Sequence, residues 1–269
     1  MPAKLPRLGS LAPMARRGAR AVFSAAMSEA SPLVEVEGVT KRYGALTAVD
    51  SVSFTVGAEV FGLLGSNGAG KSTTIKMLVG LLSPDRGEIR LAGHDVRADG
   101  IEARRAVGYL PEELELYERL TGREFLRFVS GLKGAPPDDA VIEAELDALG
   151  ILDKADHLIK EYSLGMKKKT GLIAAFLGAP RVLVLDEPLN ALDARSMRLV
   201  ENRLLAFRDA GGAVILSSHV MAFVERVCSR ALVLRSGRTA ALGAPAELRA
   251  ESGLADAPFD DVFFHFAGI

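Results

Sequence analysis

Gly65-Ser66-Asn67-Gly68-Ala69-Gly70-Lys71-Ser72 matches the pattern G-x-x-x-x-G-K-[ST] at every fixed position. Such a loop cradles nucleotide phosphates when a strand delivers it and a helix follows it. Both flanks fit. The apolar run Val60 to Leu64 reads as a buried strand, and Ile75, Leu78, Val79 and Leu82 give the next segment a core-facing helical stripe. Glycines let the backbone curl and aim its N–H groups at phosphate oxygens, and the helix start adds a positive dipole. Lys71 supplies a point charge for the β/γ-phosphates, Ser72 a hydroxyl for Mg²⁺, and Thr73 follows in the first helical turn. The alternative is a glycine-rich turn that precedes a lysine by accident, and the matching strand and helix count against it.

A second apolar run, Val182 to Leu185, has the unbroken character of a parallel strand buried on both faces, and it ends in Asp186-Glu187-Pro188. Neighbouring strand residues point to opposite faces, so Asp186 can serve the Mg²⁺ side while Glu187 leans toward the space beyond the γ-phosphate. An isolated Asp-Glu pair would read as a solvated acidic turn. Downstream of a phosphate loop it reads as the carboxylate site that such enzymes require.

Between these sites lies Tyr162-Ser163-Leu164-Gly165-Met166-Lys167-Lys168-Lys169, followed by an apolar segment to Ala179 with the character of a buried helix. Asn190-Ala191-Leu192-Asp193 follows the acid pair, and Ser217-Ser218-His219 closes the apolar strand Ala213 to Leu216. In order and spacing this series resembles the ATP-binding subunits of ABC transporters, over about residues 33 to 243. In that family the signature reads Leu-Ser-Gly-Gly-Gln. Ser163 and Gly165 match it, whereas Tyr162, Leu164 and Met166 depart from it. A Ser hydroxyl and free N–H groups at a helix start still make an anion site.

The resemblance implies further roles. Tyr43 in Lys41-Arg42-Tyr43-Gly44 stands where the family stacks an aromatic ring on adenine, a tyrosine in a surface turn being the alternative. Glu112 stands where most relatives place a glutamine that touches Mg²⁺ and relays nucleotide state to the membrane subunit. A carboxylate can fill that role through oxygen while adding negative charge. His219 resembles the histidine that holds the γ-phosphate, against the reading of a structural or solvated histidine. The implied catalytic set is Glu187, His219 and Lys71. The implied nucleotide contacts are Tyr43, residues 65–73, Ser163 and Gly165, and the implied Mg²⁺ ligands are Ser72, Glu112 and Asp186. The implied partners are an integral membrane permease subunit and a second copy of the chain, two copies enclosing ATP across a two-fold interface at the cytoplasmic face of the membrane.

The stretch Pro111-Glu112-Glu113 to Thr121, with the Tyr-Ser-x-Gly-Met signature, resembles the exporters of drugs, antibiotics and lipids whose membrane subunit is a separate chain. An importer subunit and a non-hydrolysing regulatory cassette remain as alternatives. A ribosome- or DNA-acting cassette would carry two fused units or a long coiled-coil insertion, and neither is present.

The expected fold class is α/β: a P-loop core with a parallel sheet, an N-terminal antiparallel β subdomain and a helical insertion. Leu33 to Thr40, Ser51 to Val56 and Gly87 to Ala92 read as strands of the antiparallel sheet. From about Leu114 to Glu161 the spacing is helical, with Phe125, Phe128 and Leu132, then Val141, Leu146 and Leu149, broken at Gly134-Ala135-Pro136-Pro137, and the helical subdomain is expected over about 114–178. After Val182 strands and helices alternate, as a wound parallel sheet requires. Residues 244–269 read as a helical tail whose Val262, Phe263 and Phe266 pack on the chain's own lobe or face a partner.

At 269 residues the chain can build one large core or two joined lobes, and 49% hydrophobic content excludes disorder for most of it. A net charge of −1 gives no general reason to bind nucleic acid, so no nucleic-acid partner is expected. Lys167-Lys168-Lys169 reads as a solvated helix face, with RNA or lipid contact as the alternative. Cys228 is the only cysteine, which rules out an intramolecular disulfide. No run of about 20 apolar residues occurs, so membrane work would need a partner. Residues 1–32 carry Lys4, Arg7, Arg16, Arg17 and Arg20 ahead of Met27. They read as an overextended start, with a disordered basic tail or a targeting peptide as alternatives.

Overall fold

The computed structural model describes residues 31–134 and 138–269. The expectations for residues 1–30 and for the Ala135-Pro136-Pro137 break lie outside them.

Period-2 patterning builds the first sheet. In β1 (Val34–Tyr43) Val34 and Val36 are buried, and in β2 (Leu46–Val56) Val52, Phe54 and Val56 are buried while Ser51, Ser53 and Thr55 face solvent. β1 and β2 form a hairpin closed at Tyr43 and Leu46, and β4 (Arg86–Leu91) pairs antiparallel with β1, with the short β5 (His94–Asp95) beyond it. Both hairpin strands outrun the expected Leu33–Thr40 and Ser51–Val56. Bulges between Val36 and Arg42 let pairing continue through the polar Lys41-Arg42 stretch, which carries Tyr43 to the sheet end.

The second sheet has the order β10-β9-β3-β8-β7-β6. Its strands are β3 (Val60–Gly65), β6 (Val107–Leu110), β7 (Val182–Asp186), β8 (Ala213–Ser217), β9 (Arg230–Arg235) and the antiparallel edge strand β10 (Arg238–Gly243). β3, β7 and β8 are buried at every residue. Alternation sorts their side chains between two cores. Val60, Leu64, Leu183, Leu185, Val214 and Leu216 face the helices α6 (Ala194–Asp209) and α7 (Met221–Val227). Phe61, Leu63, Val182, Val184 and Ile215 face the antiparallel sheet and α1 (Lys71–Leu78), and Phe61 stacks on Phe54 with ring centroids 5.2 Å apart. Each fully buried Leu or Phe contributes about 1.5–3 kcal/mol.

α1 is shorter than its apolar stripe predicts. It ends at Leu78, the chain turns at Gly80, and Leu82 packs from outside the helix, while Met77, absent from the stripe, is fully buried. After the short α2 (Gly100–Arg105) and β6 come α3 (Gly122–Leu132) and α4 (Asp139–Ala148), which pack on α5 (Leu164–Phe176) around Phe125, Leu126, Ile142, Leu146 and Ile173. Phe125, Phe128 and Leu132 all fall on α3, as their spacing predicts. Phe125 is buried, but Phe128 and Leu132 are 42% and 68% exposed, because the packed face runs through Phe125, Leu126 and Val129. The exposed Tyr117 meets Phe128 edge-on at 5.4 Å. At the C-terminal end, α8 (Pro245–Ser252) and α9 (Phe259–Ala267) return to the first core, with Val262, Phe263 and Phe266 buried in it. The apolar patch therefore packs on the chain's own lobe.

Candidate functional site

Three adjacent parallel strands, β3, β8 and β7, end side by side, and a twisted parallel sheet opens its crevice at such carboxyl ends. β3 runs into the glycine loop, β7 into Asp186-Glu187, and β8 into Ser217-Ser218-His219. The result is a cleft of about 420 Å³ lined by the loop's Asn67, Gly68, Gly70, Lys71, Ser72 and Thr73, by Glu112, Asp186, Glu187 and His219, and by Tyr43, Leu46 and Ala48 at the far wall. A second hollow of about 400 Å³ lies beside Arg235, Arg238 and His265 and holds none of the motif residues, so it is not the same site.

Close packing shapes the loop. At Gly70, φ is +106°, and a Cβ there would stand 2.5 Å from the Ala48 carbonyl oxygen, so only glycine fits. Gly65, Ser66 and Ala69 do not line the cleft. They frame the loop from behind, where Lys71 Nζ donates to the carbonyls of Gly65 at 2.6 Å and Ser66 at 3.1 Å. No side chain caps α1, so the N–H groups of its first turn open toward the cleft as an anion site. Burial pulls the Lys71 pKa down, while Glu187, Asp186 and Glu112 act to keep its ammonium charged.

Asp186 and Ser217 face each other across the β7–β8 pairing, and the Ser217 hydroxyl donates to Asp186 Oδ1. The same hydroxyl oxygen accepts the Glu187 N–H at 3.1 Å. Glu187 turns out of the strand with φ at +48°, a left-handed conformation that costs a non-glycine residue about 1–3 kcal/mol. Its side chain is buried. Oε2 accepts the His219 N–H at 3.3 Å, and Oε1 makes no hydrogen bond although His219 Nε2 stands 3.3 Å away. Burial pushes the Glu187 pKa up, His219 opposes this, and Asp186 and Glu112 add to it. Tyr109 is pushed up to about 12, chiefly by burial and secondarily by Asp186, and stays protonated.

The donor set fits a hydrated hard cation and a polyphosphate. Among the described residues no three His, Cys, Asp or Glu side chains converge into a cation cage. A Mg²⁺ ion keeps several waters and takes phosphate oxygens beside one or two protein ligands, and Ser72, Glu112 and Asp186, which all line the cleft, are the residues that would hold it. Glu187 Oε1 is a buried acceptor with no hydrogen-bond partner among the described residues.

Ser163 and Gly165 do not line this cleft. Ser163 caps α5, accepting the Met166 N–H at 3.3 Å, and Leu164 is 69% exposed. Tyr162 is buried and donates to the Lys154 carbonyl at 2.7 Å, which explains an aromatic residue at that position. The lysine run departs from the expected solvated face. Lys167 pairs with Glu118 at 2.7 Å, Lys169 with Asp193 at 3.0 Å, and Lys168, only 3% exposed, donates to the Asp186 carbonyl at 3.3 Å. The segment lies between two acid-bearing elements rather than in water.

A phosphate loop, an acid pair and a histidine gathered at the ends of β3, β7 and β8 define a P-loop nucleotide-binding protein. The ABC transporter family matches residues 49–190. The chain is 39% identical over 224 residues to the Nod factor export ATP-binding protein I of Mesorhizobium japonicum, a match covering 82% of this chain and 66% of that one. It is 34% identical over 224 residues to the linearmycin resistance ATP-binding protein LnrL of Bacillus subtilis, covering 82% and 72%. The solved ATP-binding subunit of an ABC transporter superposes with a TM-score of 0.82 at 33% identity, covering 87% of this chain and 99% of that one. The chain belongs to the ABC transporter family as an ATP-binding subunit, and the members of that family are ATPases. It spans about two thirds of the length of the Nod factor relative.

Proposed function

We propose that this subunit hydrolyses Mg²⁺-ATP in the β3–β8–β7 cleft to drive export through a separate integral membrane permease, working at the cytoplasmic face as an ATP-bridged homodimer. The observation that carries the reading is the gathering of Lys71, Asp186, Glu187 and His219 around one cleft, with the signature residues Ser163 and Gly165 away from it. A cleft with a phosphate loop and no signature residue is half a site. A second copy, related by a two-fold axis, supplies the other half.

In this reading the loop amides and Lys71 hold the β/γ-phosphates, and Tyr43, half exposed at the wall, lies against the adenine. Glu187 Oε1 takes a proton from the attacking water, and His219 stays beside Glu187 and the γ-phosphate. Mg²⁺, when bound, supplies charge neutralisation at the phosphate oxygens. Cleavage removes the bridging phosphate and lets the copies part.

Residues 33–243 constitute the cassette, about 114–178 its helical subdomain, and 244–269 a short tail. The exposed Tyr117, Phe128 and Leu132 on the helical segment are an apolar surface suited to the permease. Export is favoured over import by the relatives named for Nod factor export and linearmycin resistance. No helix among the described residues is long and apolar enough to cross a membrane, so the transmembrane path belongs to another chain in this reading.

The test is copurification from the native membrane with measurement of ATP turnover. Wild type should bring down an integral membrane protein and hydrolyse ATP, whereas Lys71→Ala should lose at least about 10²-fold in turnover. Normal turnover in Lys71→Ala sinks the site assignment, and capture of a partner that works with a periplasmic binding protein overturns export.

A further inference from the structure

We propose that Lys168 is a positioning residue that, with Ser217, pins the Asp186–Glu187 peptide group and so holds Glu187 in its left-handed conformation. The inference rests on the reading of Glu187 as the base.

The carbonyl of Asp186 and the N–H of Glu187 belong to one peptide plane. Its oxygen accepts from Lys168 Nζ at 3.3 Å and its N–H donates to Ser217 Oγ at 3.1 Å. The two pins come from different elements, α5 and β8, and grip opposite edges of the plane. Rotation of that plane changes φ of Glu187, and φ stands at +48°, where a non-glycine residue is strained. Flipping the plane is the direct escape from the strain, and a flip breaks both hydrogen bonds. Such a flip also re-aims the Glu187 side chain, whose oxygens now lie 3.3 Å from the His219 N–H and imidazole.

Lys168 itself supports this role. A lysine with 3% exposure directs its ammonium, which has three protons to place, to the Asp186 carbonyl. Hydrophobic packing alone would be served as well by methionine, without the cost of burying a charge. The neighbouring lysines are tied at the surface by Glu118 and Asp193, so the second turn of α5 is already anchored without Lys168. Gly165 on the same helix abuts the Ala191 carbonyl, where a Cβ would stand at 2.8 Å. The signature helix thus touches both ends of the turn after the acid pair, and Lys168 links the segment meant for the partner copy's nucleotide to the base of its own site.

The experiment compares Lys168→Met, which removes charge and donor, with Lys168→Gln, which restores a donor. The readouts are amide exchange of residues 182–193 in nucleotide-free protein, kcat, KM for ATP and Tm. Lys168→Met should speed exchange at Glu187 by about 10-fold, the worth of a charge-assisted hydrogen bond, with Tm unchanged or higher. It should lower kcat by about 10-fold with KM within about 2-fold, and Lys168→Gln should recover both to within about 3-fold. Unchanged exchange, or faster exchange with normal kcat, overturns the proposal. So does a general fall in Tm that glutamine does not repair. If the methionine variant does not fold, a well-folded Lys168→Gln that has lost more than about 10-fold in kcat is refuting on its own. Glu187→Gln serves as the control: normal hydrolysis there removes the base reading, while the exchange data still judge the pin.

Discussion

Replacing Glu187 by glutamine changes one atom at a residue with 2% of its surface exposed. Glutamine can keep its oxygen on the His219 N–H and place its amide nitrogen at the Oε1 position, 3.3 Å from His219 Nε2. The exchange is nearly silent in shape, but an amide cannot take a proton from water. General-base catalysis contributes about 10²–10⁴-fold, so kcat should fall at least about 10²-fold with ATP affinity nearly unchanged. Stability should move the other way. Burial pushes the Glu187 pKa above its ordinary 4.5, so the ionised carboxylate is penalised in the folded state relative to the unfolded one. Below 4.5 the group is protonated in both states and no penalty exists, whereas above the raised pKa the penalty is complete. The glutamine variant escapes it, together with the orphaned Oε1, for a gain of about 1 kcal/mol or more at neutral pH. At about 2–4 °C per kcal/mol for a chain of this size, Tm should rise by at least about 2 °C at pH 7, and the gap should close toward pH 4.5. Phosphate release, thermal unfolding across pH and light scattering with Mg²⁺-ATP are the assays. Blocked hydrolysis leaves the bridging nucleotide in place, so the variant should be more dimeric than wild type. Normal hydrolysis, or a fall in Tm that tracks the loss of activity, would show that Glu187 is a structural carboxylate and refute the reasoning.

Gly70→Ala should distort the phosphate loop, since its Cβ meets the Ala48 oxygen at 2.5 Å with φ at +106°. Strain and overpacking together cost about 2–5 kcal/mol, so Tm should fall and ATP affinity drop at least about 10-fold by fluorescence titration, and wild-type values in both would contradict the packing. Lys133 caps the end of α5 by donating to the carbonyls of Ala174 and Ala175 at 3.3 Å and Leu177 at 2.9 Å, while burial lowers its pKa from 10.5 to about 8. Between those values the unfolded chain binds more protons, so the contribution of Lys133 becomes more favourable as pH rises through that window. The Tm difference between wild type and Lys133→Met should therefore shift in favour of wild type between pH 7.5 and 10, by roughly the equivalent of 1–3 kcal/mol, and a flat difference would count against the burial.

Contiguous chemistry was legible in the sequence. The phosphate loop, the all-buried runs ending in Gly65 and Asp186, and the helices that follow depend on residues close in the chain, where period and capping act locally. The ATP-binding class and α/β architecture follow from that local record. What tertiary structure alone decided lies in pairings between distant segments. β9 and β10 carry no motif, and their place beside β3 depends on a register that no short window contains. Ser217 became a ligand of the acid pair only because parallel pairing sets it opposite Asp186. On α3 the spacing of Phe125, Phe128 and Leu132 identified a helix, but not that Phe128 and Leu132 stay exposed, because apolar periodicity identifies a face but not what covers it. Lys168 shows the limit most plainly: in a run of three lysines all carry the same charge, and which one is buried is set by the rotation of α5 against the end of β7. Burial is a property of the assembled fold, so a residue type that water usually claims can be spent inside it, provided that carbonyls and carboxylates there replace the water.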